Sequence, residues 1–119
     1  MLRRGVSSLM VRCALTLARR RSLTCSHLEP PAGQLRFPDP MVVNFTSSLF
    51  KAVAPSFPSK FMSTGGDELN ANCYTQDAKT QQLLSSSGQT LEEALNTFTV
   101  ATHNTLAQVG KTPVVWEGA

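Results

Sequence analysis

The spacing of apolar residues along the chain predicts a first helix after residue 39. Asp39 is a residue type that caps helix N-termini, and Pro40 suits the first helical position. From there apolar side chains recur at helical spacing, at Val42, Phe45, Leu49, Phe50 and Val53. Prolines at positions 55 and 58 end the pattern.

A second and clearer helix is predicted in "TLEEALNTFTVATHNTLAQVG". Thr90 and Glu93 have the spacing of a capping box, and Gly110 is a natural C-terminal cap. One apolar face is expected along this helix, and its members are Leu91, Leu95, Phe98, Ala101 or Thr102, and Leu106. A shorter helix, "TQDAKTQQLLSS", is predicted before it and ends at Gly88.

Two short apolar runs predict strands, "SKFMST" and "TPVVWE". The first closes on Gly65 and Gly66, and the second is apolar almost throughout, which is typical of a strand covered on both faces of a parallel sheet. The order is therefore helix, strand, helix, strand. Two strands joined by a helical crossover should be parallel, so the fold class is α/β.

Two strands are too few for an independent sheet. The pattern therefore predicts a slice of a larger α/β protein. A complete (β/α)₈ barrel needs roughly 250 residues.

The formal net charge of +3 combines two unlike parts of the chain. Residues 1–28 hold six arginines and no acid, which indicates a disordered or targeting-like segment resembling a mitochondrial presequence. A tail with neither structure nor target is the alternative. Residues 29–119 hold five basic and eight acidic residues. They show no basic stripe with interleaved aromatics, so no nucleic-acid partner is expected, and no apolar run approaches the roughly 20 residues of a transmembrane helix.

Candidate chemistry lies where the predicted strands end. Asp67 and Glu68 follow the first strand, and Trp116 and Glu117 end the second. Sites of α/β folds lie at the carboxyl ends of strands, so these side chains should converge if the strands are neighbours. Two adjacent carboxylates repel each other, so one should hold its proton more tightly, as a general acid requires. The alternative is that both acids merely cap the next turn.

No cofactor or metal site is expected. Three cysteines show no metal-ligand spacing, and His27 and His103 are far apart and have no ligand-spaced neighbours. The motif region also lacks the Lys-Ser/Thr pair of a phosphate loop and the spacing of an EF-hand.

The stretch "STGGDELNANCYTQDA" resembles the signature of glycoside hydrolase family 20, the β-N-acetylhexosaminidases, and is most similar to fungal members. The segments "EPPAGQL", "NFT", "LEEALNTF" and "TPVVWE" resemble the same family in the same order, so the resemblance covers residues 29–119. It implies that this part is a fragment of a catalytic (β/α)₈ barrel.

The resemblance implies hydrolysis of terminal non-reducing N-acetylglucosamine or N-acetylgalactosamine residues from glycans by substrate-assisted, retaining catalysis. In this family the 2-acetamido oxygen of the substrate attacks the anomeric carbon. Glu68 matches the general acid/base, Asp67 the residue that orients and stabilises the acetamido group, and Trp116 a wall of the acetamido pocket. An inactive remnant that binds carbohydrate or protein weakly is the alternative.

The sequence departs from the family pattern in two places. Ser63 stands where many members have His, and "WEGA" replaces the more usual Trp-Glu-Glu. The resemblance further implies a disulfide at Cys73, for which Cys25 is a candidate partner, and leaves open a homodimer in full-length relatives. A sequon at Asn44 is a candidate glycosylation site. Both features favour a secreted or vacuolar/lysosomal protein, whereas residues 1–28 favour a mitochondrial one.

Overall fold

A computed structural model of the chain describes residues 34–66 and 69–115. In chain order its elements are α1 (Pro40–Val53), a 3₁₀ turn (Ala54–Ser56), β1 (Phe61–Ser63), α2 (Ala71–Gln76), α3 (Ala78–Ser87), α4 (Leu91–Gln108) and β2 (Thr112–Val114). The predictions made for the Arg-rich segment, for Asp67 and Glu68, and for Trp116 and Glu117 lie outside the described residues.

The two strands pair in parallel, with Phe61 opposite Thr112 and Ser63 opposite Val114. At one end the Thr112 amide donates to the Lys60 carbonyl at 2.7 Å, and at the other the Thr64 amide donates to the Val114 carbonyl at 3.0 Å. The predicted order of helices and strands and the parallel pairing are therefore confirmed.

Helix α1 begins where the sequence predicts. The Asp39 carboxylate accepts a hydrogen bond from the Met41 amide at 2.9 Å, and Pro40 occupies the first helical position. Val42 and Thr46 are buried, but Phe45 and Leu49 from the predicted apolar face are 44% and 46% exposed. The predicted face is thus only partly covered by the described chain.

The short helix predicted over residues 75–86 is present as α3, which begins three residues later and ends at Gly88, but the preceding helix α2 was not predicted. The Asn70 side chain caps α2 by accepting from the Cys73 amide. Asp77 has an extended backbone, ends α2, and caps α3 by accepting from the Thr80 amide at 2.8 Å. Two side chains that can cap a helix, seven residues apart, therefore divide one apolar pattern into two elements.

Helix α4 agrees with its predicted ends. The Thr90 hydroxyl accepts from the Glu93 amide at 3.2 Å, and the Glu93 carboxylate accepts from the Thr90 amide at 2.8 Å, which completes the capping box. Gly110 follows the helix with a φ of 78°, a left-handed conformation that glycine adopts without strain.

The core lies between α2, α3 and α4, and the segment before α1 reaches it through Phe37. Its buried members are Phe37, Cys73, Tyr74, Leu84 and Ala94, against which Leu91, Leu95 and Phe98 pack. The Phe37 ring centroid lies 4.7 Å from that of Tyr74, whose hydroxyl donates to the Leu35 carbonyl at 2.8 Å. Residues 35–37, which precede α1, therefore form one wall of the core.

The strands are less covered than the apolar run predicts. Phe61 is 64% exposed, and Val114 and Val115 are 43% and 48% exposed. The described chain therefore leaves the second strand partly exposed, and its coverage on both faces in a larger α/β protein stays a prediction. Helix α4 packs against β2, and α1 packs against α4. The first and last residues of each strand, which alternate with the half-buried Met62 and Pro113, are exposed.

Candidate functional site

The chain leaves β1 through a tight turn at Ser63–Gly66. Gly65 and Gly66 have φ values of 66° and 99°, which residues with a Cβ atom rarely adopt. The Ser63 hydroxyl accepts a hydrogen bond from the Gly65 amide at 3.4 Å. Ser63, which departs from the family pattern, thus helps to shape the turn that leads into the acidic pair.

Thr64 is tied to two other elements at the start of this turn. Its amide donates to the Val114 carbonyl of β2, and its hydroxyl lies 3.0 Å from His103 Nε2 of α4. No role was predicted for either side chain. One signal was available, because His103 precedes the apolar-face residue Leu106 by three positions and so lies on the same side of the helix.

The chain that follows the acidic pair is also held by hydrogen bonds. The Asn70 amide donates to the Gln34 side-chain oxygen at 3.0 Å, and the Asn70 side chain caps α2. Asn70 therefore caps α2. Whether Asp67 and Glu68 cap a turn stays a prediction, because both lie outside the described residues.

The convergence of Asp67, Glu68, Trp116 and Glu117 stays a prediction, because all four lie outside the described residues. Its premise is confirmed, since the two strands are neighbours and run parallel. The segments that carry the four side chains leave the sheet from adjacent positions, Thr64 and Val115.

A cavity of about 740 Å³ extends between α1 and α4 to the strand ends. Phe45, Leu49 and Phe98 give it an apolar wall, and Thr64 and Gly65 border it at the turn. The buried Thr46 hydroxyl on this wall has no hydrogen-bond partner among the described residues.

An ion pair joins the segment before α1 to the N-terminus of α3. Arg36 donates to both carboxylate oxygens of Asp77, at 2.8 and 3.0 Å. These bonds, with further help from Thr80, lower the pKa of Asp77 from 3.8 to about 2. Burial raises the pKa of the Tyr74 phenol well above its usual range.

The remaining predicted residues are placed as follows. Asn44 is exposed on α1, and Cys73 is disulfide-bonded and buried, with its partner outside the described residues. Across residues 34–66 and 69–115, no group of His, Cys, Asp or Glu side chains is arranged to hold a metal ion. None of the helices described is both long and apolar enough to cross a bilayer.

Comparison with known proteins gives a match to the family model "Glycosyl hydrolase family 20, catalytic domain" over residues 7–119. The match includes residues 7–28, which the motif resemblance did not cover, and the division of the chain at residue 28 stays a prediction. A β-hexosaminidase of Arthroderma benhamiae is 32% identical over 91 residues, covering 75% of this chain and 14% of that protein. The β-hexosaminidase subunit beta of Sus scrofa is 31% identical over 78 residues, covering 64% and 15%.

A solved structure, a chitobiase of Flavobacterium johnsoniae, superposes with a TM-score of 0.61 at 24% identity. The match covers 82% of this chain and 14% of the chitobiase chain. This chain thus spans about a seventh of the length of the relatives that it matches, and its described elements have the fold of part of a (β/α)₈ barrel. With the family model matching nearly every residue, the chain belongs to the catalytic domain of glycosyl hydrolase family 20.

Proposed function

We propose that the protein carrying this chain hydrolyses terminal non-reducing N-acetyl-D-hexosamine residues from N-acetyl-β-hexosaminides, with retention of configuration. The observation that carries the proposal is the "GGDE" segment, which directly follows β1 in a chain of this family. Two relatives named β-hexosaminidases support the same reaction class.

The proposed mechanism divides the work between two adjacent acids. Glu68 protonates the leaving oxygen and later activates water, while Asp67 orients the substrate's acetamido group and stabilises its developing positive charge. The acetamido oxygen is the nucleophile, so no second carboxylate is needed on the opposite face of the sugar. Trp116 forms a wall around the acetamido group. No metal or cofactor takes part in this proposal.

The test is Glu68→Gln in the protein that carries this sequence, with an aryl N-acetyl-β-glucosaminide as substrate. Loss of the general acid/base should lower kcat by roughly 10²- to 10⁴-fold, because proton transfer contributes about that much. Glu93→Gln is the matched control, since a capping box accepts glutamine at that position, and its kcat should stay at the wild-type value. Full activity in Glu68→Gln would refute the assigned role.

The second candidate function is a catalytically inactive remnant that binds carbohydrate or protein weakly. The specific observation in its favour is the exposed apolar surface of the two strands. Hydrolysis by the 119-residue chain itself, measured with the same substrate, separates the two candidates. Measurable turnover that Glu68→Gln abolishes would exclude the remnant.

We further propose that the protein passes through the secretory pathway to a secreted or vacuolar/lysosomal location. Asn44 is exposed, as a glycan acceptor must be, and Cys73 is in a disulfide, which persists in oxidising compartments. Non-reducing peptide mapping of protein from its native source should yield a Cys25–Cys73 cross-linked peptide and a glycan at Asn44. A free Cys73 thiol with unmodified Asn44 would favour the mitochondrial alternative drawn from residues 1–28.

The partners proposed for the enzyme are glycans that end in N-acetylglucosamine or N-acetylgalactosamine. A homodimer, which the resemblance leaves open for full-length relatives, is also a proposal only. Sedimentation of the protein that carries this chain would decide its oligomeric state, and a monomer at all concentrations would remove the dimer.

A further inference from the structure

Thr64 is the last residue of β1's hydrogen-bond ladder and the first of the Gly65–Gly66 turn. Its amide donates to the Val114 carbonyl at 3.0 Å, which fixes its backbone against β2. Its hydroxyl lies 3.0 Å from His103 Nε2 and 3.5 Å from the same Val114 carbonyl. The side chain of Thr64 therefore meets a second strand and a helix at one point.

His103 reaches this point from α4, 39 residues further along the chain. The His103 side chain is half-buried. Helix α4, which carries it, packs against both α1 and β2, and these contacts hold the helix in place. A threonine hydroxyl can donate one hydrogen bond and accept others. It can donate to Val114 while accepting from Nε2–H, or donate to Nε2 directly, and both arrangements join α4 to the turn.

The turn needs such support, because glycine gives the backbone its greatest freedom. Two consecutive glycines, Gly65 and Gly66, separate Thr64 from the acidic pair. On the far side Asn70 is held by Gln34 and by its capping bond. On the near side Thr64 is held by the His103 ring of α4 and by the Val114 carbonyl of β2.

We propose that His103 is a positioning residue, which acts through the Thr64 hydroxyl to fix the Gly65–Gly66 turn and thereby the direction in which the chain enters the acidic pair. The proposal rests on the proposed function for its catalytic consequence. His103 does not touch substrate in this scheme. Its effect is to restrict the backbone that carries the acids.

The expected consequence is a fall in kcat with little change in KM. General acid/base catalysis depends on sub-ångström placement, and a displacement of about 1 Å can cost roughly 10²-fold. Loss of one neutral hydrogen bond relaxes the turn without removing it, so a decrease of roughly tenfold is expected. Substrate binding draws on the rest of the pocket, so KM should stay within about twofold of the wild-type value.

The experiment compares Thr64→Val, His103→Ala and the double variant in the protein that carries this sequence, with an aryl N-acetyl-β-glucosaminide. Each single variant should lower kcat roughly tenfold, and the double variant should be no worse than either, because both remove the same contact. His103→Gln, which restores a side-chain amide donor, should recover part of the activity.

Matched controls are Thr105→Val and Asn104→Ala on the same helix. The Thr105 hydroxyl bonds only to its own helix, at the Ala101 carbonyl, and Asn104 is exposed. Both controls should keep the wild-type kcat and KM. If Thr64→Val and His103→Ala also keep the wild-type kcat, or if their effects simply multiply in the double variant, the proposal is wrong.

A second measurement separates this proposal from the proposed function. In the protein that carries this sequence, amide hydrogen exchange at residues 64–66 should be faster in Thr64→Val and His103→Ala than in Thr105→Val, whether or not that protein hydrolyses anything. An inactive wild type with faster exchange would leave the positioning contact supported and the enzymatic function refuted. Unchanged exchange would refute the positioning contact itself.

Discussion

At the scale of the single residue, Asp77 performs three tasks at once. It ends α2, caps α3 through the Thr80 amide and hydroxyl, and pairs with Arg36. Arg36 is 8% exposed, so its charge is largely removed from water and depends on this carboxylate. The sequence shows the capping tendency of an aspartate, but its partner stands 41 residues earlier and no local pattern indicates it.

The low pKa of Asp77 predicts a loss of stability in acid. Its pKa is 3.8 when unfolded and about 2 when folded, so its contribution is complete above pH 3.8 and disappears as the pH falls through about 2. The difference corresponds to about 2 kcal/mol of unfolding free energy. Asp77→Asn should lose about that amount at neutral pH, measured by denaturant unfolding, and the gap to the wild type should close between pH 4 and pH 2.

The matched control is Asp39→Asn, which makes the same chemical change at the cap of α1. Asparagine caps helices as well as aspartate does, so this variant should stay within about 0.5 kcal/mol of the wild type. An equal loss in Asp77→Asn and Asp39→Asn, or a gap that does not depend on pH, would show that the ion pair with Arg36 contributes nothing measurable.

At the scale of the element, a helix end was predictable where all the residues that form its cap are close together in the sequence. Asp39 and Pro40 mark the start of α1, and Thr90 and Glu93 mark the start of α4, because each cap is formed within four residues. Helix α2 was not predicted, nor was its separation from α3. The apolar pattern there is compatible with one helix, and the extended backbone of Asp77 is stabilised in part by the distant Arg36.

The order of the elements around the candidate site was predictable, but the side-chain contacts between these elements were not. The glycines after β1 and the parallel pairing follow from turn chemistry and crossover geometry. The contact between Thr64 and His103 does not, because it requires α4 to lie at a particular rotation beside the strand end. The apolar periodicity of the sequence predicted that His103 lies on a helix. The packing of α4 beside the strand end determines that its ring contacts Thr64.

At the scale of the whole molecule, large apolar side chains are exposed on and beside the sheet. Phe61 is 64% exposed on β1, and Phe57, just before the strand, is 55% exposed. The described sheet has two strands, so both are edge strands, and an edge strand can pair with another chain. Exposed apolar surface of this kind drives association.

The 119-residue chain is therefore expected to self-associate in a concentration-dependent manner, and Phe61→Ser should reduce that association. Analytical ultracentrifugation over a concentration series measures the effect. Val100→Ser, which replaces an exposed apolar residue on α4 away from the strands, is the control and should leave association unchanged. Equal effects of the two substitutions, or none from Phe61→Ser, would show that the strand surface is not the site of association.

The sequence by itself determined the ends of α1 and α4 and the acidic motif after β1, because each rests on chemistry between residues close in the chain. It also determined the α/β order and the parallel strands, because a helical crossover between two strands makes them parallel. Only the tertiary structure decided that residues 35–37 form a wall of the core, that Arg36 meets Asp77, and that His103 meets Thr64. These contacts join residues 41 and 39 positions apart in the two pairs, and such partners are selected by packing rather than by local pattern.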